Sequence, residues 1–233
     1  MPRVRAEFCC AAAALIVTAG CGSSTPAAPT GSGATPPRRI VVLGDSLAVS
    51  PTASQNFTTE LQAKLNAAHP GWTIDNQSVS GDTTSDGMRR IDAALKSDTA
   101  ILVLELGAND GLRGVAIATA EANLSAMIER AQARGIRVLL CGMETPPLNG
   151  FNYALEFHRI YPRLADRYHV ALVPFLLEGV ALNPDFNGDD VVHPNAAGAR
   201  LIANTVWPYL EPMVAQTAVL LNSASSLVTR SSS

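Results

Sequence analysis

The chain has 233 residues, 47% of them hydrophobic and 16% charged, enough to bury one sizeable core with appendages at its ends. Its formal net charge is -3 with only 17 Lys and Arg, and no basic stripe is present of the kind a phosphate backbone requires. Nucleic acid is therefore not an expected partner.

Arg3 and Arg5 precede the apolar run "FCCAAAALIVTA" from Phe8 to Ala19, and small residues follow, which is the pattern of an export signal. The run is too short to span a bilayer. "TAGC", ending at Cys21, resembles a bacterial lipobox, in which the cysteine takes a diacylglyceryl thioether and becomes the mature N-terminus. Thr18 stands where an aliphatic residue is usual, and simple cleavage with release is the alternative. Residues 1–21 are thus expected to export the protein from a bacterial cytoplasm and to attach it, through Cys21, to a membrane. Residues 22–38, "GSSTPAAPTGSGATPPR", cannot bury a core and are predicted to form a flexible tether. Cys9, Cys10 and Cys21 fall in the signal region, so Cys141 is the one cysteine of the folded part and an intramolecular disulfide is excluded after processing. Within "IRVLLCG", Cys141 reads as a small core residue.

From Arg39 to Val214 apolar runs alternate with helical patterns. "IVVL" precedes a predicted helix from Asn56 to His69, and "WTIDN" one from Gly87 to Lys96. "AILVLEL" precedes Ala116 to Ala133, "IRVLL" precedes Asn152 to Tyr168, and "VALVPF" precedes Asn195 to Leu210. The third and fourth runs are apolar enough to be buried on both faces, and Gly135 supplies a helix stop. This βαβα alternation predicts a parallel sheet with helices on both sides. Residues 215–233 are expected to be a low-complexity tail, frayed over "NSASSLVTRSSS" from Asn222.

In such sheets ligands bind beyond the carboxyl ends of the strands. The loops there carry Ser46 in "GDS", Gly81 in "SVSGDTT", Asn109 in "GANDGLRG", and Asp190 with His193 in "NGDDVVHPN". Gly, Asp and Ser are ordinary turn residues, so Ser46 alone does not define a nucleophile. A serine hydroxyl becomes nucleophilic when an imidazole takes its proton, and a carboxylate that fixes the imidazole completes the set. His193, three residues after Asp190, is the histidine placed to meet Ser46. His69 and His158 lie on helices, and His169 precedes a strand at the opposite edge. Asp189 competes with Asp190 for the carboxylate role, and Asp45 is expected to tie the turn to neighbouring loops. The N–H groups of Ser46 and Gly81 and the Asn109 amide are candidate donors to a developing oxyanion. Separately, Gly81 also fits a positive-φ turn and Asn109 a loop-holding bond.

"GDSL" at Gly44–Leu47, "SGDT" at Ser80–Thr83, "GANDGLRG" at Gly107–Gly114 and "DDVVHPN" at Asp189–Asn195 resemble the four sequence blocks of the SGNH (GDSL) hydrolase family. The resemblance covers residues 39–214 and is greatest to the bacterial thioesterase I, arylesterase and lysophospholipase branch. It implies a flavodoxin-like three-layer α/β/α fold with a five-stranded parallel sheet, and neither metal nor organic cofactor. It also implies Ser46 as nucleophile, His193 as general base and then acid, Asp190 as its orienting partner, and Ser46, Gly81 and Asn109 as the oxyanion hole. The implied reaction is hydrolysis of carboxylic esters and thioesters, with an acyl ester, thioester or lipid as substrate. Met88, Leu148 and Phe151 are candidates to line an acyl groove, although core packing explains apolar residues equally well. A carbohydrate deacetylase shares the same blocks, and a non-catalytic binding lipoprotein is the reading from another class.

Overall fold

The structure is a computed structural model that describes residues 38–190 and 192–230. The expected signal, the lipobox cysteine Cys21 and the tether up to Pro37 lie outside the described residues.

Five strands form one parallel sheet: β1 (Arg39–Gly44), β2 (Thr73–Asn76), β3 (Thr99–Glu105), β4 (Arg137–Cys141) and β5 (Ala171–Val173). Their order is β2-β1-β3-β4-β5. Every residue of β3 is buried, as are Ile40 to Gly44 of β1, which is why these segments read as unbroken apolar runs. Six helices flank the sheet: α1 (Phe57–Ala68), α2 (Thr84–Ala94), α3 (Ala108–Arg113), α4 (Ile117–Gln132), α5 (Phe151–Tyr168) and α6 (Ala196–Arg230). α1 packs on α6, while α4 packs between α2 and α5, so the sheet is covered on both faces. The alternation predicted such a parallel sheet with helices on both sides, and the family resemblance implied this flavodoxin-like α/β/α architecture.

The strand order reverses direction between β1 and β3, and at such a switch point the two following loops part and leave a crevice at the carboxyl edge. Those loops carry Ser46 and Asn109.

Four details differ from the sequence expectations. β5 is confined to Ala171–Val173, because Pro174 lacks the N–H that would continue the ladder. α2 starts at Thr84, three residues ahead of Gly87, on a capping box in which Thr83 and Asp86 satisfy each other's backbone N–H groups. The short helix α3 opens at Gly107 (φ 125) and ends at Gly114 in the left-handed region (φ 66), lifting Asn109 into a helical turn where a loop was expected. α6 continues past Leu210, through Pro208 and Pro212, to Arg230, so the tail expected from residue 215 is helical. Thr217 is buried in it, and Arg137 at the start of β4 donates to Met213 O at 2.7 Å and to Thr217 Oγ1 at 3.2 Å.

Candidate active site

β1 ends at Gly44 and the chain turns at once. Asp45 Oδ1 accepts from Leu47 N–H at 3.0 Å and so caps the single 3₁₀ turn Ser46–Ala48, which holds Ser46 at the mouth of the crevice. From the far side, the loop before α6 brings in His193. Its Nδ1–H donates to Asp190 Oδ2 at 2.5 Å, which leaves Nε2 to accept from the Ser46 hydroxyl at 2.8 Å. Asp190 and His193 share a tight turn: Asp190 Oδ1 accepts from the backbone N–H of Val192 at 3.0 Å and of His193 at 2.9 Å. The His193 ring first, and these two N–H groups after it, hold the Asp190 carboxyl well below the usual carboxylate range. Asn195 starts α6 by accepting from Ala197 N–H at 2.9 Å and Gly198 N–H at 3.0 Å. The other histidines stay apart: His69 faces Glu211, His158 faces Glu144, and His169 ends α5 in the left-handed region.

The three candidate donors converge in an instructive way. The N–H groups of Ser46 and Gly81 donate to no acceptor among the described residues, and Gly81 has φ 83, a conformation that favours glycine. Asn109 Nδ2 lies between them, donating to Asp45 Oδ2 at 3.1 Å and to Asp82 O at 3.0 Å. It thus contacts the chain neighbour of each of the other two donors. Both of its hydrogens are engaged, so donation to an oxyanion requires release of one of these two acceptors.

The chain has relatives among known proteins. Residues 42–201 match the GDSL-like lipase/acylhydrolase family. The chain is 39% identical over 178 residues to the esterase TesA of Pseudomonas aeruginosa, covering 75% of this chain and 89% of that protein. It is 36% identical over 178 residues to the thioesterase 1/protease 1/lysophospholipase L1 of Escherichia coli K12, covering 75% and 84%. The crystal structure of TesA superposes with a TM-score of 0.71 at 38% identity, covering 75% of this chain and 99% of that one. The chain belongs to the GDSL-like lipase/acylhydrolase family. It is a hydrolase of ester bonds.

Beside the Ser46 turn of this acylhydrolase runs an apolar groove of about 310 Å³, walled by Leu47, Leu112, Pro147, Phe175, Leu182 and Val192 among others. None of the three residues expected to line it is in its wall. Met88 is half-buried against the core from α2. Leu148 and Phe151 point to solvent just beyond Pro147. Apolar character alone does not separate wall, core and rim, and the wall residues after β5 sit in a segment the alternation assigned to strand and loop.

The sequence reading also passed over two buried carboxyls. Glu105, the last residue of β3, is completely buried, and its Oε2 accepts from Asp45 N–H at 3.2 Å while Oε1 has no partner among the described residues. Its carboxyl occupies the space a side chain on Gly44 would fill, which explains the glycine of the family's first block. Burial, and then the charge of Asp45, push the Glu105 carboxyl well up from the usual carboxylate range. Burial also pushes Asp45 up, to about 6, against the opposing hydrogen bonds of Leu47 and Asn109. The second carboxyl, Asp110, accepts from Thr84 N–H at 2.8 Å and Thr84 Oγ1 at 2.6 Å, fixing the start of α2 and with it the Gly81 loop. A carboxylic acid at the end of an apolar strand, as in "AILVLEL", is the signal that marks such residues.

Proposed function

We propose that the protein hydrolyses carboxylic esters and thioesters through an acyl-enzyme on Ser46. The observation that carries this reading is the hydrogen-bonded series Asp190–His193–Ser46, with links of 2.5 and 2.8 Å, at the mouth of an apolar groove. Ser46 Oγ attacks the carbonyl carbon and its proton passes to His193 Nε2. The imidazolium formed is steadied by Asp190, and the oxyanion takes hydrogen bonds from the N–H groups of Ser46 and Gly81 and from Asn109. His193 then gives its proton to the departing alcohol or thiol. In the second half, water loses a proton to the same nitrogen, attacks the acyl carbonyl, and the acid leaves with Ser46 regenerated.

The groove supports acyl chains longer than acetyl, since its wall is Leu, Pro, Phe and Val with few polar groups. That favours an acyl ester or thioester, a lysophospholipid included, over a carbohydrate deacetylase. Export and attachment through Cys21 complete the proposal, placing the reaction outside a bacterial cytoplasm. The test is an organophosphonate, whose phosphorus takes the place of the tetrahedral carbon, followed by peptide mapping, together with a chain-length series of p-nitrophenyl esters and acyl thioesters. A single label at Ser46 is expected, with rates rising beyond acetyl. A label elsewhere on folded protein, or none, overturns the assignment.

A further inference from the structure

The apolar lining of the groove continues out of it. Phe151, Leu148 and Leu182 are 82%, 73% and 68% exposed, and Leu112, Leu155 and Val192 are exposed too. Leu112, Leu182 and Val192 belong to the groove wall. Leu148 directly follows the wall residue Pro147, and Asn149 Nδ2 donates to Gly111 O at 3.0 Å, which lays this turn on α3. Phe151 opens α5, and Leu155 is one turn further along the same face. Scattered exposed leucines are ordinary, but apolar side chains gathered around one opening mark a docking surface. Several charges beside them are engaged: Glu156 with Arg159 and Arg163, Glu144 with His158, and Arg113 with the Gly81 carbonyl.

We propose that this rim seats the enzyme on a zwitterionic phospholipid surface, with Leu148 and Phe151 entering the boundary between headgroups and acyl chains. The inference rests on the acyl-hydrolase reading for the use of the groove. Two observations select a lipid as the occupant. Groove wall and rim are continuous, so an acyl chain drawn from a bilayer reaches Ser46 along Leu and Pro without crossing water. The chain outside the described residues also has the necessary reach. Gly22 to Pro37 is sixteen residues, a contour of roughly 53–58 Å at ~3.3–3.6 Å per residue. The seven residues of β3 span only about 23 Å at ~3.3 Å per residue. Attachment at Cys21 therefore permits the carboxyl edge, where the rim lies, to meet the membrane although β1 begins at the other edge. No unpaired basic cluster borders the rim among the described residues, which is why the surface is zwitterionic and not anionic.

The experiment uses the full chain carrying Cys21→Ser, to remove lipid attachment, and the same chain with Leu148→Asp and Phe151→Asp added. Each is sedimented with phosphatidylcholine vesicles and assayed on water-soluble p-nitrophenyl acetate and on a long-chain p-nitrophenyl ester dissolved in the vesicles. Loss of two buried apolar side chains should lower vesicle partitioning at least ~10-fold, with the vesicle-borne rate falling in step and the soluble-ester rate within about twofold. Leu155→Asp, at the edge of the rim, should give an intermediate loss of partitioning. Equal partitioning of both chains overturns the proposal, as does binding that appears only when anionic lipid is added. An equal loss on the soluble ester also overturns it, since the two side chains would then be substrate wall. If neither chain hydrolyses any ester, the acyl-hydrolase reading fails, while sedimentation still decides the docking.

Discussion

Replacing Asp45 by Asn removes one charge and one acceptor while leaving the outline of the turn unchanged. Asp45 accepts two hydrogen bonds, from Leu47 N–H at 3.0 Å and from Asn109 Nδ2 at 3.1 Å. An Asn keeps the first with its single oxygen and turns an NH₂ toward the NH₂ of Asn109, so donor meets donor and Asn109 must rotate or withdraw. The charge-assisted bond that aligns Asn109 is worth about 1.5–3 kcal/mol, and one oxyanion donor contributes about 2.7–4 kcal/mol. The turnover number should therefore fall between ~10-fold and ~10³-fold. Folding stability should respond in the opposite sense. Burial raises Asp45 from 3.8 to about 6, so the folded chain binds this proton more tightly than the unfolded one. The contribution to stability is full below the unfolded value and is lost as pH rises through about 6. Above that, keeping the folded carboxyl ionised costs on the order of 3 kcal/mol, from a shift of about two units at ~1.4 kcal/mol each. Asn never bears that cost, although its lost bond to Asn109 offsets part of the gain. The assays are turnover of a short p-nitrophenyl ester and thermal midpoints at about pH 4 and about pH 8, on either side of the titration. Wild type should lose stability relative to Asp45→Asn between the two. A variant with full turnover, or a stability gap unchanged by pH, would refute the reasoning.

Asn109→Ala should cost ~10²–10³ in turnover with an unchanged circular dichroism spectrum; full activity would reduce Asn109 to a loop-holding residue. Asp190→Asn should lose far more turnover than Asp189→Asn, because only Asp190 meets His193 Nδ1 among the described residues; the reverse ranking would reassign the carboxylate. Gly44→Ala should lower the thermal midpoint, because its methyl overlaps the Glu105 carboxyl, with an overpacking cost of at least ~1–3 kcal/mol; an unchanged midpoint would show that Glu105 is free to move.

The sheet, its parallel sense and the edge that bears the site were legible because strand burial and loop chemistry leave separate marks in the sequence. Unbroken apolar runs such as Ile40–Leu43 mark strands buried on both faces, and Ser46 and Asn109 each closely follow such a run, while Gly81 and His193 lie three residues before the helices α2 and α6. What escaped has a physical reason in each case. Gly107 and Gly114 bracket α3 too closely for a helical period to show. The tail from residue 215 was read from composition, but Ala and Ser are compatible with helix and Thr217 is held by contacts to Met213 and Arg137. The apolar groove is assembled from segments after β1, β3, β4 and β5, so which leucines enter its wall depends on how those segments cross. Glu105 was hidden in plain view within an apolar strand, its partner being the backbone of a residue 60 positions earlier.

The pair proposed to activate Ser46 stands at the surface: the side chains of His193 and Asp190 are 40% and 53% exposed. Asp190 keeps its charge through hydrogen bonds and not through a dry environment. In the proposed mechanism, bulk water and dissolved ions would therefore reach the imidazolium and weaken the field acting on it. Whatever lies over the pair in the reacting complex finishes the active site. A small leaving group leaves it wet, whereas a large one, or a surface pressed against the opening, shuts the solvent out. On the proposed mechanism the enzyme would borrow its low-dielectric roof from its substrate, and the leaving group would become part of the catalytic environment.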